Sequence, residues 1–207
     1  MLKSYPYGNY TGQMKDGQRN GKGIFIWSTE DSKGHTYQGE WKDDKMHWKG
    51  LYIYTNGQKY NGDWFEGDMH GKGIMKYTNG YYEGDWVHDK REGKGKFLWT
   101  NDTEKGDIFE GEWKDDEKNG KGIYKYANGE IYEGKWKDNE VVGNLKYIKK
   151  GEPNKDFEEK KIMLLIITIM AITIKVIEVK NLKKKQKEVS SEINMEVPWE
   201  ELIVMEK

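Results

Sequence analysis

The stretch Tyr82-Glu83-Gly84-Asp85-Trp86 decides how the chain is read. It returns as Tyr37-Gln38-Gly39-Glu40-Trp41, Tyr60-Asn61-Gly62-Asp63-Trp64, Phe109-Glu110-Gly111-Glu112-Trp113 and Tyr132-Glu133-Gly134-Lys135-Trp136. A worn copy, Tyr10-Thr11-Gly12-Gln13-Met14, stands in front. Self-similarity of this kind marks a repeat array. The six copies begin at residues 10, 37, 60, 82, 109 and 132, so the spacings are 27, 23, 22, 27 and 23. Residues 10 and 82, 37 and 109, and 60 and 132 are each 72 apart, which points to duplication of a three-repeat block.

Within Tyr60-Asn61-Gly62-Asp63-Trp64, large and polar side chains alternate, the period of a strand with one packed face. Tyr60, Gly62 and Trp64 share that face, and the glycine leaves a hollow that a neighbouring strand's side chain is expected to fill. Gly73-Ile74-Met75-Lys76-Tyr77 reads as a second short strand. The charged, glycine-rich Phe65–Lys72 between them reads as a hairpin loop. Asn56-Gly57, Asn79-Gly80 and Asn128-Gly129 then predict type I′ return turns, because Asn and Gly tolerate positive φ. The pattern is an antiparallel meander of stacked hairpins, each marginal alone and stabilised by its neighbours.

The order Tyr-Glu-Gly-Glu-Trp, charged loop, Gly-Lys-Gly, aromatic strand, Asn-Gly resembles the MORN (membrane occupation and recognition nexus) repeat over residues 5–147. That resemblance implies an all-β array: an elongated, twisted, single-layer antiparallel sheet with a groove lined by the Tyr and Trp positions. It also implies a non-catalytic role in scaffolding, protein binding, dimerisation or membrane association. Two departures stand out. Met14 replaces the motif Trp, and Trp48 replaces the first Gly of Gly-Lys-Gly, either as a contact residue or packed on its neighbour.

Composition narrows the function. The 35 basic and 36 acidic side chains leave a formal charge of -1, so no bulk attraction draws the chain to nucleic acid. The chain has no cysteine, which removes disulfides and thiol chemistry. Met1–Tyr5 lacks the apolar core of a signal peptide, and the sequons at Asn9 and Asn101 read as chance. A cytoplasmic location is expected, with the cytoplasmic face of a membrane as its extension. His35, His47, His70 and His88 fall in charged stretches read as loops and lack metal-ligand spacing. The Gly-Lys-Gly copies lack the phosphate-loop form. The faint calcium-loop outlines at 29–40 and 101–112 each place a lysine at a ligand position. Carboxylates are spread rather than paired in a cleft. Neither catalysis nor a cofactor is expected, and the 60 residues after the array leave no room for the enzyme domains some family members carry.

The expected partner surface is the ladder Tyr37, Trp41, Tyr60, Trp64, Tyr82, Trp86, Phe109, Trp113, Tyr132 and Trp136. A single-layer sheet cannot cover both faces, so part of this ladder should stay open to a protein or peptide. An open sheet edge also suits a homodimer.

All 25 glycines and all 14 tyrosines lie at or before residue 151, which sets a boundary near residue 150. Residues 148–161 read as a linker, 162–187 as an apolar then Lys-rich segment, and 188–207 as a tail. Residues 162–174 carry no charge. As a helix they span about 20 Å, short of the roughly 30 Å hydrocarbon core. Ile162, Leu164, Leu165, Ile166 and Ile169 are the expected lipid contacts, with Lys183, Lys184 and Lys185 on an anionic surface. A membrane anchor, a helix docked on the array, and a β or unstructured tail remain three open readings. Pro198–Ile203 reads as a short helix. A phospholipid-binding adaptor is the alternative to the protein-binding scaffold.

Overall fold

A computed structural model describes residues 2–150; the expectations for residues 151–207 lie outside the described residues. Fourteen strands form one antiparallel sheet. They are β1 (Leu2–Tyr5), β2 (Gly8–Lys15), β3 (Gln18–Trp27), β4 (Thr36–Lys42), β5 (Lys45–Ile53), β6 (Lys59–Phe65) and β7 (Asp68–Lys76), followed by β8 (Gly80–Val87), β9 (Lys90–Trp99), β10 (Ile108–Lys114), β11 (Glu117–Lys125), β12 (Glu130–Lys137), β13 (Glu140–Val141) and β14 (Lys146–Lys150). Each pairs with the next from β1 to β13, while β14 pairs with β12. The meander is the expected one, but its turns are exchanged.

The tight turns lie where charged loops were expected. Residues Asp43 and Asp44 have φ of 48° and 66°, His88 and Asp89 46° and 65°, and Asp115 and Asp116 48° and 71°. Glu66 and Gly67 follow suit at 54° and 106°. Two successive positive φ values belong to a type I′ turn, whose twist matches the flanking strands. Short Asp and Asn side chains tolerate this region. Phe65–Lys72 is thus mostly strand, and β7 runs nine residues from Asp68 to Lys76.

At the other long edge, Asn56 and Asn128 do not take positive φ; Gly57 and Gly129 do, at 86° and 91°. The asparagines act through their side chains instead. Asn56 Oδ1 accepts the Gln58 N–H at 3.0 Å, and Asn128 Oδ1 accepts the Glu130 N–H at 2.9 Å. Such side-chain turns make longer connections than a two-residue I′ hairpin.

The glycine hollow is filled from its own strand. Gly62 pairs with Gly73, and the Tyr60 ring lies across both. Its hydroxyl donates to the Asp63 carbonyl at 2.9 Å, as Tyr10, Tyr37 and Tyr82 do to Gln13, Glu40 and Asp85. The next repeat's indole closes over the ring, with Trp86 5.3 Å from Tyr60 at 80°. That indole N–H donates to the Gly73 carbonyl at 3.3 Å. Edge-to-face aromatic pairs of this geometry are favoured by the ring quadrupole. Trp41, Trp64, Trp86 and Trp113 each tie one hairpin to the previous one in this way, and the core is a row rather than a ball.

Candidate functional site

The two faces of the sheet carry different chemistry. On one, Tyr37, Tyr60, Tyr82 and Phe109 are fully buried, and Trp41, Trp64, Trp86, Trp113 and Trp136 are at most 5% exposed. Tyr132 alone of the expected ladder is half-buried. Of the ladder expected to stay partly open, only Tyr132 does so; in the other nine positions alternate aromatic rings cover one another. Burial pushes the Tyr10 hydroxyl up to about 12, and those of Tyr37, Tyr60 and Tyr82 higher still. They serve as neutral donors.

The accessible aromatics form a second row, toward the longer connections. Trp27 lies 5.2 Å from Tyr52, which lies 4.6 Å from Tyr54. In the duplicated block Trp99 lies 5.7 Å from Tyr124, which lies 4.7 Å from Tyr126. All six are at least partly exposed, and all but Tyr126 pack against the buried core. The row is the outward-facing continuation of the core.

Within the second block this face holds a cavity of about 460 Å³, lined by Tyr77, Phe97, Trp99 and Trp113 with Arg91 and Lys118. Arg91 stacks its guanidinium 4.5 Å from the Trp113 ring. The Asp116 carboxylate accepts from its backbone N–H at 2.9 Å and from Nε at 3.0 Å. Lys118 is half-buried, its ammonium 5.6 Å from the Trp99 and Phe109 rings and 5.8 Å from Tyr124. Burial pulls its pKa down, with Glu104 opposing. Neither Lys118 nor Arg91 was singled out from the sequence. Aligning the two blocks at the 72-residue offset could have found Lys118, because its counterpart is Met46.

The opposite face is charged. Lys49 pairs with Asp63, and Lys72 with Asp85. His47 and His70 belong to this face, on β5 and β7 rather than in loops as expected, and His47 is buried. Trp48 has a φ of 54°, matching Gly71 at 67° and Gly93 at 68° in neighbouring repeats. It keeps the bulge geometry of the glycine it replaces and sets its ring against His47 at 4.5 Å, while remaining 48% exposed. Of the two expected roles the structure shows packing on a neighbour, and it leaves part of the ring exposed. Among the described residues no group of three or more His, Cys, Asp or Glu side chains is placed to hold a metal ion.

An open sheet of stacked hairpins bonded by alternating Tyr and Trp defines a β-repeat module. Comparison gives the class its family: the MORN repeat model matches residues 10–32, 37–59, 60–80, 82–104 and 109–131, more than half of the chain. The chain belongs to the MORN repeat family. Such repeats are interaction or membrane-associated modules, not an enzyme family. The sixth repeat, from residue 132, lies beyond the matched segments. No curated protein matches the chain.

Proposed function

We propose that this protein is a non-enzymatic scaffold that holds a protein or peptide along its aromatic face. The observation that carries this reading is the second row, Trp27-Tyr52-Tyr54 and Trp99-Tyr124-Tyr126, partly exposed on a sheet that needs no further packing to hold its core. Partly exposed Trp and Tyr offer large apolar area at small entropic cost and are enriched where partners bind. The test is binding by the full chain with Trp99→Ala or Tyr52→Ser, beside Glu83→Ser on the opposite face. Loss with the first two and retention with the third supports the scaffold; equal binding by all three refutes it.

Membrane tethering through Ile162–Ile169 and Lys183–Lys185 belongs to the same proposal, at the cytoplasmic face of a membrane. The lipid-adaptor alternative is weaker for the middle of the array, since Lys49 and Lys72 on the charged face are matched by Asp63 and Asp85. Among the described residues no helix is long and apolar enough to cross a membrane. Flotation of the full chain with vesicles of phosphatidylcholine and phosphatidylserine, at low and high salt, separates these roles. Binding that survives high salt supports an apolar anchor, and binding lost in salt supports electrostatic adsorption.

A further inference from the structure

The duplicated blocks give the protein an internal reference for its own cavity. Residues 72 apart hold the same backbone: Gly8 pairs with Trp27 as Gly80 pairs with Trp99. Ser28 N–H donates to the Tyr7 carbonyl at 3.0 Å, as Thr100 N–H donates to the Asn79 carbonyl at 2.8 Å. Arg19 is held by Asp44 as Arg91 is by Asp116. On this shared frame the first block is apolar. Tyr7 stacks on Phe25 at 5.6 Å and 23°, and Met46 packs against the core. The second block has Asn79 where Tyr7 stands and Lys118 where Met46 stands. Asn79 has no ring to lay on Phe97, and both residues line the cavity.

Lys118 is the decisive group. Among the described residues its ammonium meets no carboxylate within ion-pair distance, and three aromatic rings surround it. A half-buried ammonium gains from an anion that restores what desolvation removed. Arg91 cannot serve as that anion's main partner, because Asp116 already occupies it. Glu104 also lines the cavity, its Oε2 accepting from Asn101 Nδ2 at 3.1 Å. The half-exposed row continues from the cavity along Tyr124 and Tyr126, so an extended chain fits better than a small molecule.

Resting on the groove reading above, we infer that this cavity receives an acidic side chain of a partner peptide, its carboxylate on Lys118 and an adjoining apolar residue against Phe97 and Trp99. The first block, where Tyr7 stacks on Phe25 and Met46 stands in place of the cation, does not take that residue. A bound peptide therefore has one register and one direction on a nearly symmetric array.

The experiment is selection of a displayed random dodecapeptide library on the immobilised full chain and on its Lys118→Met and Asn79→Tyr variants. Each variant carries the residue the same backbone already holds 72 positions earlier, so folding is preserved. Selected peptides are then synthesised with their acidic residue and with its amide. Peptides with an acid beside an apolar residue should be enriched, and the amide should bind at least tenfold more weakly. Lys118→Met should erase that difference, and Asn79→Tyr should weaken both forms. Selected peptides without an acid, or an acid preference that survives Lys118→Met, would overturn the inference and leave the groove reading standing. No enrichment, or enrichment indifferent to both Asn79→Tyr and Trp99→Ala, would overturn the groove reading and the inference with it.

Discussion

Gly73→Ala tests how the repeats are held together. The φ of Gly73 is ordinary, so the added methyl acts by volume alone. Its Cβ would lie 2.3 Å from Tyr60 Oη, 2.4 Å from Cε2 and 2.5 Å from Cζ. Contacts between such atoms need about 3.5 Å, so the ring must retreat by roughly 1 Å. It has nowhere to go: Trp64 and Trp86 stand edge-on at 5.1 and 5.3 Å, and its hydroxyl is bonded to the Asp63 carbonyl. Overpacking costs about 1–3 kcal/mol and ejecting a buried aromatic about 3–5 kcal/mol, so about 3 kcal/mol is expected. Arrays unfold in pieces, so native-state hydrogen exchange is the suitable assay. Protection should fall first in β6, β7 and β8. In a Tyr60→Ala background the same substitution should cost almost nothing. Gly57→Ala, whose Cβ meets nothing within 4 Å at a φ of 86°, should cost about 1 kcal/mol of backbone strain. A Gly73→Ala cost that is unchanged in the Tyr60→Ala background would refute the ring-over-glycine account.

The other predictions follow from the turns and the cavity. Asp116→Ala strands the half-buried Arg91 and should destabilise by about 2 kcal/mol, with Asp44→Ala doing the same to Arg19, measured by denaturant titration. Asp44 and Asp89 occupy equivalent turn positions yet should titrate oppositely by NMR. For Asp44, burial is outweighed by the Arg19 N–H and guanidinium, which hold the carboxyl below the usual carboxylate range. For Asp89, burial comes first and the Met69 N–H does not overcome it, so the carboxyl stands above that range. The stability Asp44 supplies is therefore present above an unfolded pKa of about 3.9 and lost as pH falls through its lower folded value; that of Asp89 is present below about 3.9 and lost as pH rises through its higher folded value. Lys118→Met should leave stability unchanged or raise it by up to about 1 kcal/mol at neutral pH. Burial lowers the Lys118 pKa, so the unfolded chain binds more protons between that value and about 10.4. Wild-type stability should accordingly rise with pH across this window, and the rise should be absent in the variant.

Much of this was legible in the chain because a repeat writes its core many times. The alternation of Tyr60, Gly62 and Trp64 gave the packed face, and the spacings gave the hairpin count and the duplicated block. What failed was chemistry that local sequence does not carry. Asn-Gly has a strong preference for I′ turns, but whether Asn56 uses its backbone or its side chain depends on how many residues the two strands leave between them. Asp43-Asp44 and His88-Asp89 have weaker preferences, yet strand twist imposes positive φ on them. The burial of the Tyr–Trp ladder and the half-exposure of Trp99 and Tyr124 were likewise out of reach, because exposure is decided by the repeat that follows rather than by the residue itself.

The sequence by itself determined that this is a MORN array of stacked hairpins, since one spacing of aromatic, glycine and aromatic recurs along it. Only the tertiary structure decided that Tyr10, Tyr37, Tyr60 and Tyr82 each lie on a glycine pair and that the tight turns run along the charged edge. It alone placed Lys118 among aromatic rings beside a cavity, where the other block has Met46 and a Tyr7 ring stacked on Phe25. The reason is physical: period and composition act along the chain, whereas burial, charge pairing and empty space are set between strands that the sequence does not place side by side.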